Sequence, residues 1–269
     1  MNKQRLLSLP FLFWSALFII VPLLMVLYYG LTDQSGAFTL ENILAITTPE
    51  HSKALWESIQ LSVISTIICL LLAYPLALIL CNMNVNKDSF VVLIFVLPMW
   101  MNFLLRTLAW QTLLEKTGVI NNILSFLHLP TLNIINTPAA IVLGMVYNFL
   151  PFMVLPIYNV LIKIDKNVVN AARDLGANGI QTFFKIIFPL SIPGMVSGIT
   201  MVFVPALTTF VISKILGGSK ILLIGNVIEQ EFTTTGNWNL GSGLSIVLML
   251  FIILNMVIEA VTSKDGEAM

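Results

Sequence analysis

The chain has 269 residues, of which 58% are hydrophobic and 10% charged, with a mean hydropathy of +0.95 and a formal net charge of zero. A soluble domain is about half apolar and about a quarter charged, so this composition excludes a water-exposed globule and implies an integral membrane protein. The missing basic excess argues against a nucleic-acid partner.

Six apolar runs are long enough to cross a hydrocarbon core, which takes about 20 helical residues. The first, residues 9–30, is too long for a signal-peptide core and lacks a small-residue cleavage site, so it is expected to remain as a span. The second, 56–81, contains both cysteines, Cys69 and Cys81, which read as small buried hydrophobes. The third covers 89–113 and carries Arg106 within it. The fourth, 138–162, opens with Thr137-Pro138, a capping residue followed by proline at the first helical position. The fifth and sixth cover 189–215 and 243–261. Prolines interrupt these runs at Pro75, Pro98, Pro151, Pro156, Pro193 and Pro205. In lipid the freed backbone groups need neighbouring helices or a cavity, which favours a bundle with an internal path over a simple anchor. The expected fold is all-α, one membrane domain over 1–269 built as a bundle of six transmembrane helices.

Positive charge orients the bundle. With the N-terminus in the cytoplasm, the inner side holds Lys3, Arg5, Lys87, Lys163, Lys166, Arg173, Lys185 and Lys264, against Lys53, Lys116, Lys214 and Lys220 outside. Both termini are then expected inside. The outer side collects Asp33, Glu41, Glu50, Glu57, Glu115, Glu229 and Glu231, either as solvated loop charge or as a face that attracts a cation or a docking protein. His51 and His128 stand alone in polar connections, so no metal site is expected. Gly217-Gly218-Ser219-Lys220 lacks the upstream glycine of a phosphate loop and falls in an outer connection.

The polar stretch 163–188, on the inner side, is the chain's most informative segment. Asp165 is placed to cap a helix from Lys166 to Leu175, on which Val168, Ala172 and Leu175 share one face. Ala171 and Ala172 keep its surface small, and Gly176 suits a left-handed helix end. A second short helix is expected after Asn178, held to the bundle by Phe183, Phe184, Ile187 and Phe188. Two short helices with a glycine hinge, lying parallel to the membrane, would form a lever. An interfacial helix that merely caps the bundle fits the pattern equally.

Residues Ala171, Ala172, Gly176, Ala177, Phe183, Ile186, Pro189 and Pro193 resemble the cytoplasmic-loop signature of binding-protein-dependent ABC importer permeases. Asn170 departs from it, since the family usually has glutamate there. Residues 97–112, 147–158 and 205–227 resemble the polyamine branch of that family, the permeases of spermidine/putrescine importers. The resemblance implies a type I importer fold with a cytoplasmic coupling helix. Asn170, Ala171, Ala172, Arg173, Asp174, Gly176 and Ala177 would then couple to a separate ATPase dimer. The other implied partners are a second homologous permease subunit, an extracytoplasmic binding protein, the polyamine and the lipid bilayer. ATP and Mg²⁺ would sit on the ATPase, with no cofactor in this chain, which is a transport subunit and not itself an enzyme. The implied location is a bacterial cytoplasmic membrane.

For a cationic substrate, Trp100, Trp110, Tyr147 and Asn148 are the candidate path residues, because aromatic faces attract ammonium groups by roughly 0.5–2 kcal/mol, weakly enough for release. Trp110 serves equally as an interfacial belt residue. Arg106 cannot attract a cation. It reads either as a structural or gating residue, paired with carbonyls or a partner's acid, or as a snorkelling surface residue. Glu229 and Glu231 are candidates for binding-protein docking or for the entrance.

Overall fold

A computed structural model describes residues 10–82, 97–218 and 220–267. Among the described residues the regular structure is helical, apart from one isolated bridge between Thr32 and Phe38. The first helix, α1 (Pro10–Gly30), buries none of its apolar window against the rest of the chain, which suits a surface given to lipid. The second, α2 (Pro49–Asn82), starts before the expected span. Its first three turns are the more polar part and carry Glu50, Lys53 and Glu57. The third region differs from the single span expected. Helical residues 97–100 stop at Met101, and Asn102 begins a new helix, α3 (Phe103–Leu114), by accepting hydrogen bonds from the amides of Leu104 (2.9 Å) and Leu105 (3.2 Å). An asparagine that caps the following turn ends one helix and starts another. The first part of that expected span, 89–96, lies outside the described residues.

A short amphipathic helix, α4 (Val119–Phe126), leads to α5 (Pro138–Leu161). Thr137 caps α5 as expected, with Pro138 at its first position. Next come α6 (Lys166–Asp174) and a helix, α7 (Gly179–Thr208), which passes through a π-helical stretch at Phe183–Ile187. The expected second arm of the lever is therefore continuous with the fifth span. The reason is local. Asn178 and Gln181 form a reciprocal capping box (2.8 and 3.0 Å) that starts the helix at Gly179, and nothing interrupts it before the membrane. The fifth span also ends earlier than expected. Thr209 is extended, and the chain folds back as α8 (Val211–Leu216) and α9 (Ile224–Gln230) before the last helix, α10 (Trp238–Glu267). Among the described residues five helices are long and apolar enough to cross a membrane.

The core lies where α2, α5 and α7 meet. Ser58, Ser62, Ser65, Cys69, Ala73 and Ala77 form a fully buried seam of small residues along α2, at helical spacing. Small residues let helix backbones approach closely when lipid supplies no hydrophobic drive. On α7, Gly194 and Gly198 do the same against α5: a Cβ at Gly194 would stand 2.9 Å from the Pro156 carbonyl oxygen. Tyr74 of α2 and Ser191 of α7 share a buried hydrogen bond of 2.8 Å. Neither cysteine is in a disulfide, and Cys69 is fully buried.

Polar links gather α8 and α9 to one end of the bundle. The Ile224 amide donates to Ser58 Oγ (2.8 Å), and the Asn136 amide donates to the Leu216 carbonyl (2.8 Å). Asn239 Nδ2 donates to the Thr32 carbonyl (2.7 Å), which ties the start of α10 to the end of α1. The α6 segment sits at the opposite end, beside Cys81 and Leu161.

Candidate functional site

Helix α6 is built to stand proud of the bundle. The Asp165 carboxylate accepts from the Asn167 amide (2.8 Å) and fixes its start. At its end the Ala177 amide donates to the Ala172 carbonyl (3.0 Å) and the Gly176 amide to Arg173 (2.9 Å). This pair of bonds is a Schellman cap, and it requires the left-handed residue that Gly176 supplies with φ +88°. Two apolar side chains, Val168 on α6 and Leu175 at its C-cap, face outward, and Leu175 is 90% exposed. Ala172 is half-buried, so only part of the expected apolar face is open. Lys166, Asn170 and Arg173 turn the other way, into a cavity between α6 and the ends of α2, α5 and α7.

The helix's connection to the membrane is aromatic. The Phe183 and Phe188 rings each lie 5.9 Å from that of Tyr74 of α2, whereas Phe184 is exposed and, among the described residues, makes ring contact with Phe183 and Phe188 but not with Tyr74. Along the chain, α6 is thus followed by the left-handed Gly176, then by the start of α7, which the Tyr74–Ser191 hydrogen bond links to α2.

At the other end three of the candidate path residues come together. Trp110 and Tyr147 meet edge to face at 5.3 Å, and the Arg106 guanidinium carbon lies 6.0 Å from the Tyr147 ring centre. Arg106 is only 6% exposed, so it does not snorkel to the surface. Its Nε and Nη1 have no hydrogen-bond partner among the described residues, and neither does Asn148 Oδ1. Asn148 is 1% exposed and donates through Nδ2 to the Gly144 carbonyl (2.8 Å). Trp100 does not join them. It is 78% exposed at the end of the helical residues 97–100, before the break at Met101. Trp110 and Tyr147 also line an apolar groove of about 690 Å³ between α2 and α5.

A buried guanidinium with two of its nitrogens unpaired among the described residues costs several kcal/mol, which a ring face at 6 Å repays only in part. Replacing Arg106 by methionine is therefore expected to raise the thermal unfolding temperature of the purified chain while lowering transport. A variant that is both less stable and fully active would show that Arg106 is held for packing alone.

Glu229 and Glu231 do not lie in a loop, as the sequence suggested, but on α9 and its π-helical continuation, Glu231–Thr235. Glu229 pairs with Lys214 at 3.2 Å, and Glu231 accepts from Thr235 Oγ1 at 2.7 Å. Glu231 joins Glu50 and Glu57 of α2 in an open cavity of about 320 Å³ that also includes His51, Lys53 and Lys220. Sequence reading missed the buried chain of polar groups beneath it. Asn226 Oδ1 accepts from Ser213 Oγ and the Leu223 amide, and Nδ2 donates to the Phe210 carbonyl (2.9 Å). The one available signal was an asparagine amid the apolar run 221–228.

The family described as "Binding-protein-dependent transport system inner membrane component" matches residues 73–263. The spermidine/putrescine transport system permease protein PotB of Haemophilus influenzae is 37% identical over 263 residues, covering 94% of this chain and 92% of that protein. PotB of Escherichia coli is 35% identical over 253 residues, with 91% and 92% covered. Among solved structures, a chain of a bacterial ABC transporter involved in the import of the acidic polysaccharide alginate superposes with a TM-score of 0.72 at 16% identity, covering 97% of this chain and 95% of that one. A chain of the same type of transporter, in complex with an alginate pentasaccharide-bound periplasmic protein, gives 0.75 at 16% identity, covering 95% and 92%.

Proposed function

Because the chain belongs to the family of binding-protein-dependent transport system inner membrane components, we propose that it is one membrane-spanning subunit of an ATP-driven importer of polyamines, spermidine and putrescine. The similarity to two PotB proteins over nine-tenths of the chain carries this reading. The exposed, capped helix α6 supports a mechanism in which a separate ATPase dimer docks there. ATP binding closes that dimer, and the motion passes through Gly176 and α7 to the bundle. A second, related permease completes the path, and ATP and Mg²⁺ stay on the ATPase.

The proposed orientation puts α6 and both termini in the cytoplasm and the α8–α9 end outside. A loaded binding protein then docks over the cavity that holds Glu50, Glu57 and Glu231. The cation passes the Trp110–Tyr147 pair, whose ring faces attract ammonium groups weakly enough to release them. In this account Arg106 acts as a gate, a positive charge beside the path that the bundle must move before a cation passes.

Exposed ion pairs such as Lys214–Glu229 contribute about 0–1 kcal/mol, so neutralising Glu229 and Glu231 together should spare assembly. It is expected to weaken uptake at low substrate concentration. Unchanged uptake kinetics would remove both residues from the entrance. The function itself is tested by uptake of labelled spermidine in cells lacking other polyamine importers. Uptake that needs this chain and is competed by putrescine supports it. Equal uptake without the chain refutes it.

A further inference from the structure

The Trp110–Tyr147 pair opens on the apolar groove between α2 and α5, about 690 Å³ in volume. Ile64 and Ile68 of α2 and Val142 and Val146 of α5 line it with the two rings. Against the Tyr147 ring stands the Arg106 guanidinium, buried, with Nε and Nη1 unpaired among the described residues. Apolar walls and an uncompensated charge therefore meet at one ring. Contacts between α2 and α5 set the depth of that meeting point. Ser65 Oγ donates to Met145 Sδ (3.3 Å) and the Cys69 thiol to the Val146 carbonyl (3.9 Å), so Tyr147 lies level with the middle of α2.

We propose that this groove receives the second permease subunit, and that a carboxylate of that subunit, at the depth of Arg106, pairs with the guanidinium across the interface. Hydrocarbon tails would cover the groove but bring no anion to that depth, because lipid phosphates stay at the bilayer surface. A charge inside a span is stabilised by an opposite charge, and guanidinium–carboxylate hydrogen bonds are among the strong ones. A second copy of this chain cannot supply the acid. Copies inserted the same way hold each residue at the same depth. The nearest carboxylates along α2 and α3 are Glu57, eight residues before Ser65, and Glu115, nine residues after Arg106. At 1.5 Å per residue each stands about 12–14 Å nearer the helix end. Glu229 is already paired with Lys214 (3.2 Å). A second copy would instead set another Arg106 at the same depth, so the unpaired arginine selects a different chain over its own. In the empty importer the pair holds the partner's carboxylate, and an arriving ammonium group competes for it, which gives the gate at Arg106 its counter-ion. The inference rests on the proposed two-permease importer, but not on its solute.

The test uses the assembled complex of this chain, its partner permease and the ATPase, without nucleotide or polyamine. Arg106→Met, expected to stabilise the chain alone, should act with the opposite sign here. Fluorescently labelled partner permease is expected to exchange out of the Arg106→Met complex at least about tenfold faster, because loss of one member of a buried charge pair acts mainly on the off-rate. Arg106→Lys keeps the charge and should recover most of the difference. Each carboxylate in the partner's spans is then neutralised in turn, Asp to Asn or Glu to Gln. One of these changes is expected to speed exchange in the parent complex and to add nothing in Arg106→Met, the mark of a coupled pair. Arg106→Glu, combined with replacement of that acid by lysine, should restore slow exchange. Exchange of the Arg106→Met complex at the parent rate overturns the proposal, as does the absence of any partner carboxylate coupled to Arg106. So does stable self-association of the chain expressed alone that Ile64→Trp, in the groove, abolishes. Exchange is read without transport, so a failure of the polyamine reading leaves this result standing.

Discussion

Replacing Gly176 by valine is expected to leave ATP hydrolysis by the assembled importer running while polyamine uptake falls by about tenfold or more, the effect of some 1.4 kcal/mol lost in coupling. Gly176 has φ +88°, and nothing lies within 4 Å of where its Cβ would be. The penalty is therefore purely one of backbone. A side chain in the left-handed region costs roughly 1–2 kcal/mol, and a β-branched one is the worst case. The chain relieves that strain most easily by undoing the cap, in which Gly176 and Ala177 donate to Arg173 and Ala172. Once the cap opens, Leu175 and Val168 no longer stand in fixed relation to α7, and a push on α6 is absorbed in the turn. Gly179 is the control. Its surroundings are equally open, but its φ lies outside the left-handed region, so Gly179→Ala should leave uptake unchanged. Hydrolysis and uptake rates on the same preparation decide the matter. Full uptake by the Gly176→Val importer would show that the turn is not where force is transmitted.

The second large effect is structural. Gly194→Leu is expected to destroy the folded membrane domain, seen as loss of the monodisperse peak in detergent. A Cβ at Gly194 would be 2.9 Å from the Pro156 carbonyl oxygen and 2.9 Å from Val160 Cγ2. The first is backbone inside a helix and cannot yield. Overpacking of a tight interface costs about 1–3 kcal/mol and sometimes more, and a leucine adds far more than the Cβ. Gly198→Ala is expected to cost much less, because its nearest obstacle, at 2.7 Å, is the sulfur of Met153, the flexible end of a side chain that can turn aside. If the two variants were equally stable, close approach of α5 and α7 would not hold the bundle together.

What the sequence made legible was whatever rests on local chemistry. The cap at Thr137-Pro138, the cap at Asp165 and the left-handed Gly176 each depend on a few consecutive residues, and each is found in the structure. The misjudged points depend on distant partners or on a competing local signal. Hydropathy counts Met101 and Asn102 as part of an apolar run and cannot weigh the two amides that Asn102 accepts. Pro189 and Pro193 suggest a helix start, yet the Asn178–Gln181 capping box starts the helix earlier and the prolines are absorbed within it. The folding back of α8 and α9 depends on Ser58, some 166 residues away in the chain, which no window of sequence contains. Of the candidate path residues, Arg106, Trp110 and Tyr147 are neighbours because α3 packs on α5, while Asn148 is turned inward to the Gly144 carbonyl. Trp100 falls beyond the break at Asn102 and is left on the surface.

The central claim is that this chain carries polyamine only when an ATPase acts on α6. The most direct test is accumulation of labelled spermidine in proteoliposomes. They contain the chain with its partner permease and ATPase, with ATP and Mg²⁺ on the ATPase side and loaded binding protein on the other. Accumulation is expected with ATP, none with a non-hydrolysable analogue, and none when Leu175→Asp places a charge at the exposed end of α6. Accumulation driven by an ion gradient without nucleotide, or undiminished ATP-driven accumulation with Leu175→Asp, would contradict it.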